Sequence, residues 1–286
     1  MPIYAPSLPP RPEQGQGLHP ALVIFRFDLR RVLRLKLGRF FGFVFVVILL
    51  ILCAELYLNH LMASRSSLAD VKRVADAFLP QGAKFQAGLL NPLMIAVLWL
   101  QVALVGGGLV ARDTLYRIRP LLYAHPVTPR DYLAAKALFA AGLPLAVMLP
   151  FILLPWGLSL AIGGLRGPVW PSAPLYLVPA ALAVSALMGA VTLGASSLAS
   201  SPKAGFGWAL GILLGSSALS AVASGVMGDP RWLALGVGTL SKAWPRLILG
   251  LDTQQGWIPV VLGTAFHLTL WLAVAIRRTR PSEAIL

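Results

Sequence analysis

Residues 106 to 139 read GGGLVARDTLYRIRPLLYAHPVTPRDYLAAKALF, and the rest of the chain is organised around them. One apolar segment ends in this stretch and another begins, with a short polar turn between them. The turn carries Asp113 and Asp131 against a larger set of cations: Arg112, Arg117, Arg119, Arg130 and Lys136. This order predicts a connector between two membrane-spanning helices. We call residues 113–132 the basic connector.

The second half of the basic connector has the sequence of a helix start. Thr128 can act as the N-cap, and Pro129 then occupies the first helical position. Asp131 follows the cap by three residues, which is the spacing of a capping box. The sequence therefore predicts that a helix begins at this point.

The composition is that of a membrane protein. Of the 286 residues, 57% are hydrophobic and only 12% are charged, whereas a soluble domain carries about 25% charged residues. The apolar residues form blocks long enough to cross a bilayer as helices. We expect an all-α membrane protein with six transmembrane helices. The expected spans are residues 40–58, 92–111, 133–163, 175–199, 204–227 and 257–276.

Four segments outside the spans have distinct patterns. Residues 1–20 are rich in proline and are expected to form a disordered cytoplasmic tail. Residues 21–39 alternate apolar residues with arginines at helical spacing, which predicts an amphipathic helix lying on the lipid bilayer. A short surface helix is expected near residues 66–80. Further short extracytoplasmic helices are expected before the last span, within residues 228–256. Residues 21–286 would thus form one transmembrane domain.

The distribution of positive charge predicts the orientation. The net charge is +14, and about two thirds of the 24 Lys and Arg residues fall on the side of the membrane that holds both termini. Cytoplasmic loops accumulate these residues, so we expect the termini and the basic connector to be cytoplasmic. The same rule explains the positive charge without nucleic acid, which we do not expect as a partner. The expected location is the cell membrane, as in a bacterial inner membrane.

Glycines in the fifth span recur at four-residue spacing. Gly207, Gly211 and Gly215 give the GxxxG pattern twice, and such a face lets a second helix approach closely. We therefore interpret these glycines as a helix-packing face, without assigning the partner from the sequence.

The sequence offers little catalytic chemistry. It has no GxxxxGK[ST] phosphate-binding loop, its single cysteine is Cys53, and its four histidines lack metal-ligand spacing. We therefore expect a non-enzymatic chain with no catalytic, cofactor-binding or metal-binding residues of its own.

The basic connector resembles the loop between the second and third membrane helices of ABC-2 type ABC-transporter permeases. The residues that carry the resemblance are Asp113-Thr114-Leu115, Leu121-Leu122, Pro126-Val127-Thr128, Arg130-Asp131-Tyr132 and Lys136. This family also has an N-terminal interfacial helix and short outer helices before the last span, as expected here.

The resemblance implies a permease subunit of an exporter, driven by ATP that a separate ATPase subunit binds with Mg and hydrolyses. It also implies a second permease copy, giving a homodimer or a related heterodimer. The residues implied as the ATPase-coupling loop are Asp113, Thr114, Leu115, Arg117, Arg119, Pro126, Thr128, Arg130 and Asp131.

Two other functions are also compatible with the sequence. A secondary transporter or channel would need ionisable groups inside the spans, and apart from Lys136 of the polar turn the charged residues and histidines within the spans are Glu55 and His267. An intramembrane protease would need a serine next to a histidine, for which Ser216 or Ser217 with His267 would qualify. The cargo is not readable, although the absence of a charged pocket favours an amphipathic or lipid-like molecule.

Overall fold

The computed structural model describes residues 19–64, 82–118, 127–163 and 169–279. Within these ranges all regular secondary structure is helical. The expected disordered tail, apart from its last two residues, and the short helix expected near residues 66–80 lie outside the described part of the chain.

The described helices follow one another in a simple order. They are α1 (Pro20–Arg34), α2 (Lys36–Ser64), α3 (Gly82–Gly88), α4 (Pro92–Gly106), α5 (Ala111–Leu115), α6 (Pro129–Gly163), α7 (Ala173–Leu198), α8 (Pro202–Met227), a 3₁₀ helix (Pro230–Leu235), α9 (Val237–Ile248) and α10 (Trp257–Thr279).

Six helical segments in these ranges are long and apolar enough to cross a membrane. They are Lys36–Leu58, Ala83–Leu115, Pro129–Gly163, Ala173–Leu198, Pro202–Met227 and Trp257–Thr279. The prediction of six spans in an all-helical, multi-pass membrane protein is thereby confirmed. The second span combines α3, α4 and α5 and extends further toward the N-terminus than expected.

The second and fourth spans form the centre of the bundle. In an apolar stretch of 18 residues from each of these two spans, 72% is buried. In the corresponding stretch of the fifth span, 6% is buried. Helix α7 packs against α6, α10, α8, α9 and α4. Helix α8 therefore lies at the periphery, with most of its surface uncovered by the described part of the chain.

The N-terminal helix is shorter than predicted. Residues 21–39 do not form one helix, because α1 ends at Arg34 and Leu35 is extended with a ψ of 135°. The chain then turns sharply into α2, and Gly38 lies against the carbonyl of Val32, where a Cβ atom would overlap that oxygen. The tight turn thus depends on a residue without a side chain.

The second span is interrupted at its glycine-rich end. Between α4 and α5, the amides of Val110 and Ala111 donate to Ser196 Oγ at 2.8 and 3.1 Å. That hydroxyl donates in turn to the Gly107 carbonyl at 2.9 Å. Helix α7 thereby satisfies backbone groups that the interruption leaves unpaired. Beside this point Gly107 touches the backbone of Gly205, so α4 and α8 cross in direct contact.

Short helices lie at the end of the bundle opposite to α1. The 3₁₀ helix and α9 lie in the region where the sequence predicts short helices before the last span. Tryptophan side chains join α9 to the spans: Trp99 Nε1 donates to Ser241 Oγ at 3.1 Å, and Trp244 Nε1 donates to Thr264 Oγ1 at 3.0 Å. We call the end that contains α1 the N-terminal end, and the other the distal end.

Candidate functional site

A cluster of ionisable side chains is buried at the N-terminal end of the bundle. Lys136 Nζ lies 2.8 Å from Asp28 Oδ2 and 2.9 Å from Asp113 Oδ2. The three residues come from α1, α5 and α6, and they are only 2 to 6% exposed. One ammonium group therefore joins three helices. We call these residues, together with Tyr132, the ion cluster.

Tyr132 and Arg31 complete the polar surroundings of the two carboxylates. The Tyr132 hydroxyl donates to Asp113 Oδ2 at 2.9 Å. Arg31 Nη1 lies 3.9 Å from Asp28 Oδ1, so two carboxylates face one ammonium and one guanidinium. Near neutrality of charge is what makes such burial tolerable, because an unpaired buried charge costs several kcal/mol.

Burial changes the pKa of the Asp28 carboxylate in α1. Loss of solvent raises the pKa of Asp28 above its ordinary value, and the nearby Lys136 ammonium opposes that rise. Asp28 therefore depends on Lys136 to remain charged in this position.

Apolar contacts hold α1 in place beside the ion cluster. Val32 is buried on the face that Asp28 shares, and the Phe25 ring lies 6.2 Å from that of Phe139 in α6, measured between centroids. The opposite face exposes the three arginines spaced four residues apart: Arg26, Arg30 and Arg34. The side of α1 that carries the acid thus faces the bundle.

The start of α6 has the predicted capping box. The Asp131 amide donates to Thr128 Oγ1 at 3.1 Å, and the Thr128 amide donates to Asp131 Oδ2 at 3.1 Å. Both hydrogen bonds of the motif are therefore present, and the predicted helix start is confirmed. The cap fixes where the connector re-enters the bundle, one turn before Tyr132 and two turns before Lys136.

The structure divides the predicted coupling residues into buried and exposed groups. Asp113 is buried in the ion cluster, whereas Thr114, Leu115 and Arg117 are exposed directly after it. Arg117 has a φ of 51°, so the chain turns at this residue. Thr128 and Arg130 are exposed and Asp131 is half-buried on the other side of the connector, while Arg119 and Pro126 lie outside the described residues.

The predicted packing glycines face open space. A Cβ atom built at Gly207, Gly211 or Gly215 would meet no atom within 4 Å. Within the part of the chain that the structure describes, this face of α8 therefore has no partner helix. Gly205, two residues earlier, makes the close contact with α4.

The side chains considered for an intramembrane protease have other partners. Ser216 Oγ accepts from the Val237 amide at 3.2 Å, and the Ser217 hydroxyl donates to the Leu213 carbonyl at 2.7 Å. His267 Nε2 lies 3.0 Å from the Leu235 carbonyl, and its Nδ1 accepts from Trp271. Ser216 and His267 thus join α8 and α10 to the short helices between them, whereas Ser217 bonds within α8. The described residues contain no group of three metal-ligating side chains.

Asp28 was not identified from the sequence. A usable signal exists, since Asp28 is an acid on the apolar face of a helix that otherwise carries arginines. In the sequence, Tyr132 stands out only as the end of the connector and Lys136 only as a cation just after it, and no pattern pairs either residue with α1.

Comparisons of this chain with protein-family models, with curated proteins and with solved structures find no match.

Proposed function

We propose that the chain is the permease subunit of an ABC-2 type exporter, in which a separate ATPase subunit docks on the basic connector. The observation that carries this proposal is the ion cluster. It joins α1 to the two helices that flank the connector, so the three helix ends behave as one unit.

The arrangement can transmit a displacement from a docked protein into the helix bundle. The exposed residues Thr114, Leu115 and Arg117 follow the buried Asp113 without a break. A displacement of this surface would reach α6 and α1 through Lys136, because a buried ion pair resists separation. Asp113 then acts as a positioning residue for the docking surface, and the exposed residues make the contacts.

A charge reversal on the docking surface tests this proposal. Arg117→Glu should uncouple ATP hydrolysis from transport while leaving the fold intact, because the side chain is exposed and the new charge repels the acidic surface expected on the ATPase. The chain is co-expressed with a candidate ATPase subunit, and ATP hydrolysis is measured in nanodiscs. We expect the stimulation of hydrolysis by the permease to fall by about tenfold or more.

The matched control is Arg277→Glu, an exposed cation at the same end of the bundle but at the end of α10. This variant should keep full stimulation. Equal effects of the two substitutions would argue for general electrostatics, and no effect of Arg117→Glu would argue against docking at the connector.

A second permease copy is part of the same proposal. It is supported by the uncovered glycines of α8 and by the low burial of the fifth span. If a second copy covers this face, Gly211→Cys should form a disulfide-linked dimer in native membranes after mild oxidation. Ala221→Cys is also exposed but lies about 80° around α8 from Gly211, so it serves as the control. Crosslinking of Ala221→Cys in place of Gly211→Cys would contradict this interface.

A further inference from the structure

A cavity of about 420 Å³ lies at the distal end of the bundle, between the 3₁₀ helix and α10. This volume is within the range of about 300–1,000 Å³ that is usual for sites of small ligands. The wall is largely apolar and includes Trp232, Leu262 and Phe266, while Asp229 and Arg231 supply its charged groups.

The charged and apolar groups lie at different depths. The 3₁₀ helix and the first part of α10 run side by side in the same direction, since Ala234 touches Gly263 and the Leu235 carbonyl lies 3.0 Å from His267 Nε2. Arg231 precedes these contacts, so it lies nearer the start of α10. The cavity is therefore charged toward the distal end of the bundle and apolar toward its interior.

The apolar wall has the length and exposure of a lipid contact. From Pro259 to Phe266 the helix rises on the order of 10 Å. Trp232 is 41% exposed, Leu262 63% and Phe266 53%, so the residues that the structure describes leave this wall uncovered. In a spanning helix such surface faces acyl chains, and a groove within it holds one chain in a defined place.

The charged end has the chemistry of a zwitterionic head group. The Arg231 side chain is 74% exposed, and its closest approach to the Asp229 carboxylate is 4.0 Å. Asp229 Oδ1 also accepts from the Arg231 amide at 2.9 Å, which fixes the carboxylate beside the guanidinium. A guanidinium binds phosphate oxygens through paired N–H donors, while the carboxylate would repel a second anion and attract an ammonium group.

We propose that this cavity binds one zwitterionic phospholipid from the leaflet at the distal end. Its phosphate lies on Arg231, its ammonium group lies near Asp229, and one acyl chain covers Leu262 and Phe266. The site is built by this chain alone, so the proposal does not depend on an ATPase or on transport.

Lipid titration of the purified full-length chain tests the site. Palmitoyl-oleoyl phosphatidylethanolamine is added in detergent, and bound lipid is counted by native mass spectrometry. Arg231→Gln should weaken binding by about tenfold or more, because a hydrogen bond to a charged group contributes more than the 1.4 kcal/mol that corresponds to this factor. Diacylglycerol with the same acyl chains lacks the head group. The wild-type chain should bind it at least as weakly as the Arg231→Gln variant binds phosphatidylethanolamine.

Two other variants separate the site from general effects. Leu262→Trp should reduce binding by filling the groove without changing any charge. Lys242→Gln removes an exposed cation of α9 at the same end, outside the cavity, and should bind like the wild type. The site is refuted if Arg231→Gln and Leu262→Trp both bind like the wild type, or if Lys242→Gln loses as much affinity. Tighter binding of phosphatidylglycerol than of phosphatidylethanolamine would overturn the zwitterionic assignment.

Discussion

Replacing Lys136 with Met should lower the free energy of unfolding by about 3–5 kcal/mol. The substitution keeps most of the side-chain volume but removes the ammonium group that lies within hydrogen-bond distance of both Asp28 and Asp113. Two buried carboxylates would then face each other, and among the described residues the more distant guanidinium of Arg31 would be left to compensate them. The measurement is thermal unfolding in detergent micelles, followed by size-exclusion chromatography.

The same change at an exposed lysine provides the control. Lys203→Met, at the start of α8, should alter the unfolding free energy by less than about 0.5 kcal/mol. Adding Asp28→Asn and Asp113→Asn to Lys136→Met should recover part of the loss, since the buried charges are then removed together. If Lys136→Met melted like Lys203→Met, the ion cluster would not hold the three helices together.

Gly205→Ala should destabilise the chain by about 1–3 kcal/mol or more, although it adds a single methyl group. The new Cβ atom would overlap the carbonyl of Gly107, the residue that follows α4. Because the obstacle is backbone, no rotamer change can relieve the overlap, so the two helices would have to move apart. The expected result is a lower midpoint of thermal unfolding in the same detergent.

Gly207→Ala is the matched control on the same helix. It is exposed, and its Cβ atom would meet nothing within 4 Å. Alanine is also favoured over glycine inside a helix by up to about 1 kcal/mol, so in a chain that the detergent keeps monomeric this variant should be neutral or slightly more stable. If both alanine variants unfolded alike, the close crossing of α4 and α8 would not contribute to stability.

The spans and the start of α6 could be predicted because they depend on local sequence. Apolar runs of the right length mark the spans, and the spacing of Thr128 and Asp131 marks the cap. The break at Leu35 was missed, since the apolar periodicity of residues 21–39 continues across it. That break depends on the contact of Gly38 with Val32, which the sequence pattern does not reveal.

The ion cluster could not be predicted because its members are distant in sequence. Asp28 and Lys136 are separated by 108 positions. Their pairing follows from how α1 packs on α6, and Phe25 and Phe139 would fit many arrangements of two apolar faces equally well. The connector is recognisable from its charges. The burial of Asp113 is not, because it depends on how α5, at the end of the second span, packs in the bundle.

Docking of an ATPase requires that the connector face the compartment in which ATP is hydrolysed. The direct measurement uses Arg117→Cys in a chain whose only native cysteine, Cys53, is replaced by Ala. A membrane-impermeant maleimide is applied to intact cells and to inverted membrane vesicles. We predict labelling in inverted vesicles and none in intact cells. Labelling of intact cells would contradict docking of an ATPase on the basic connector.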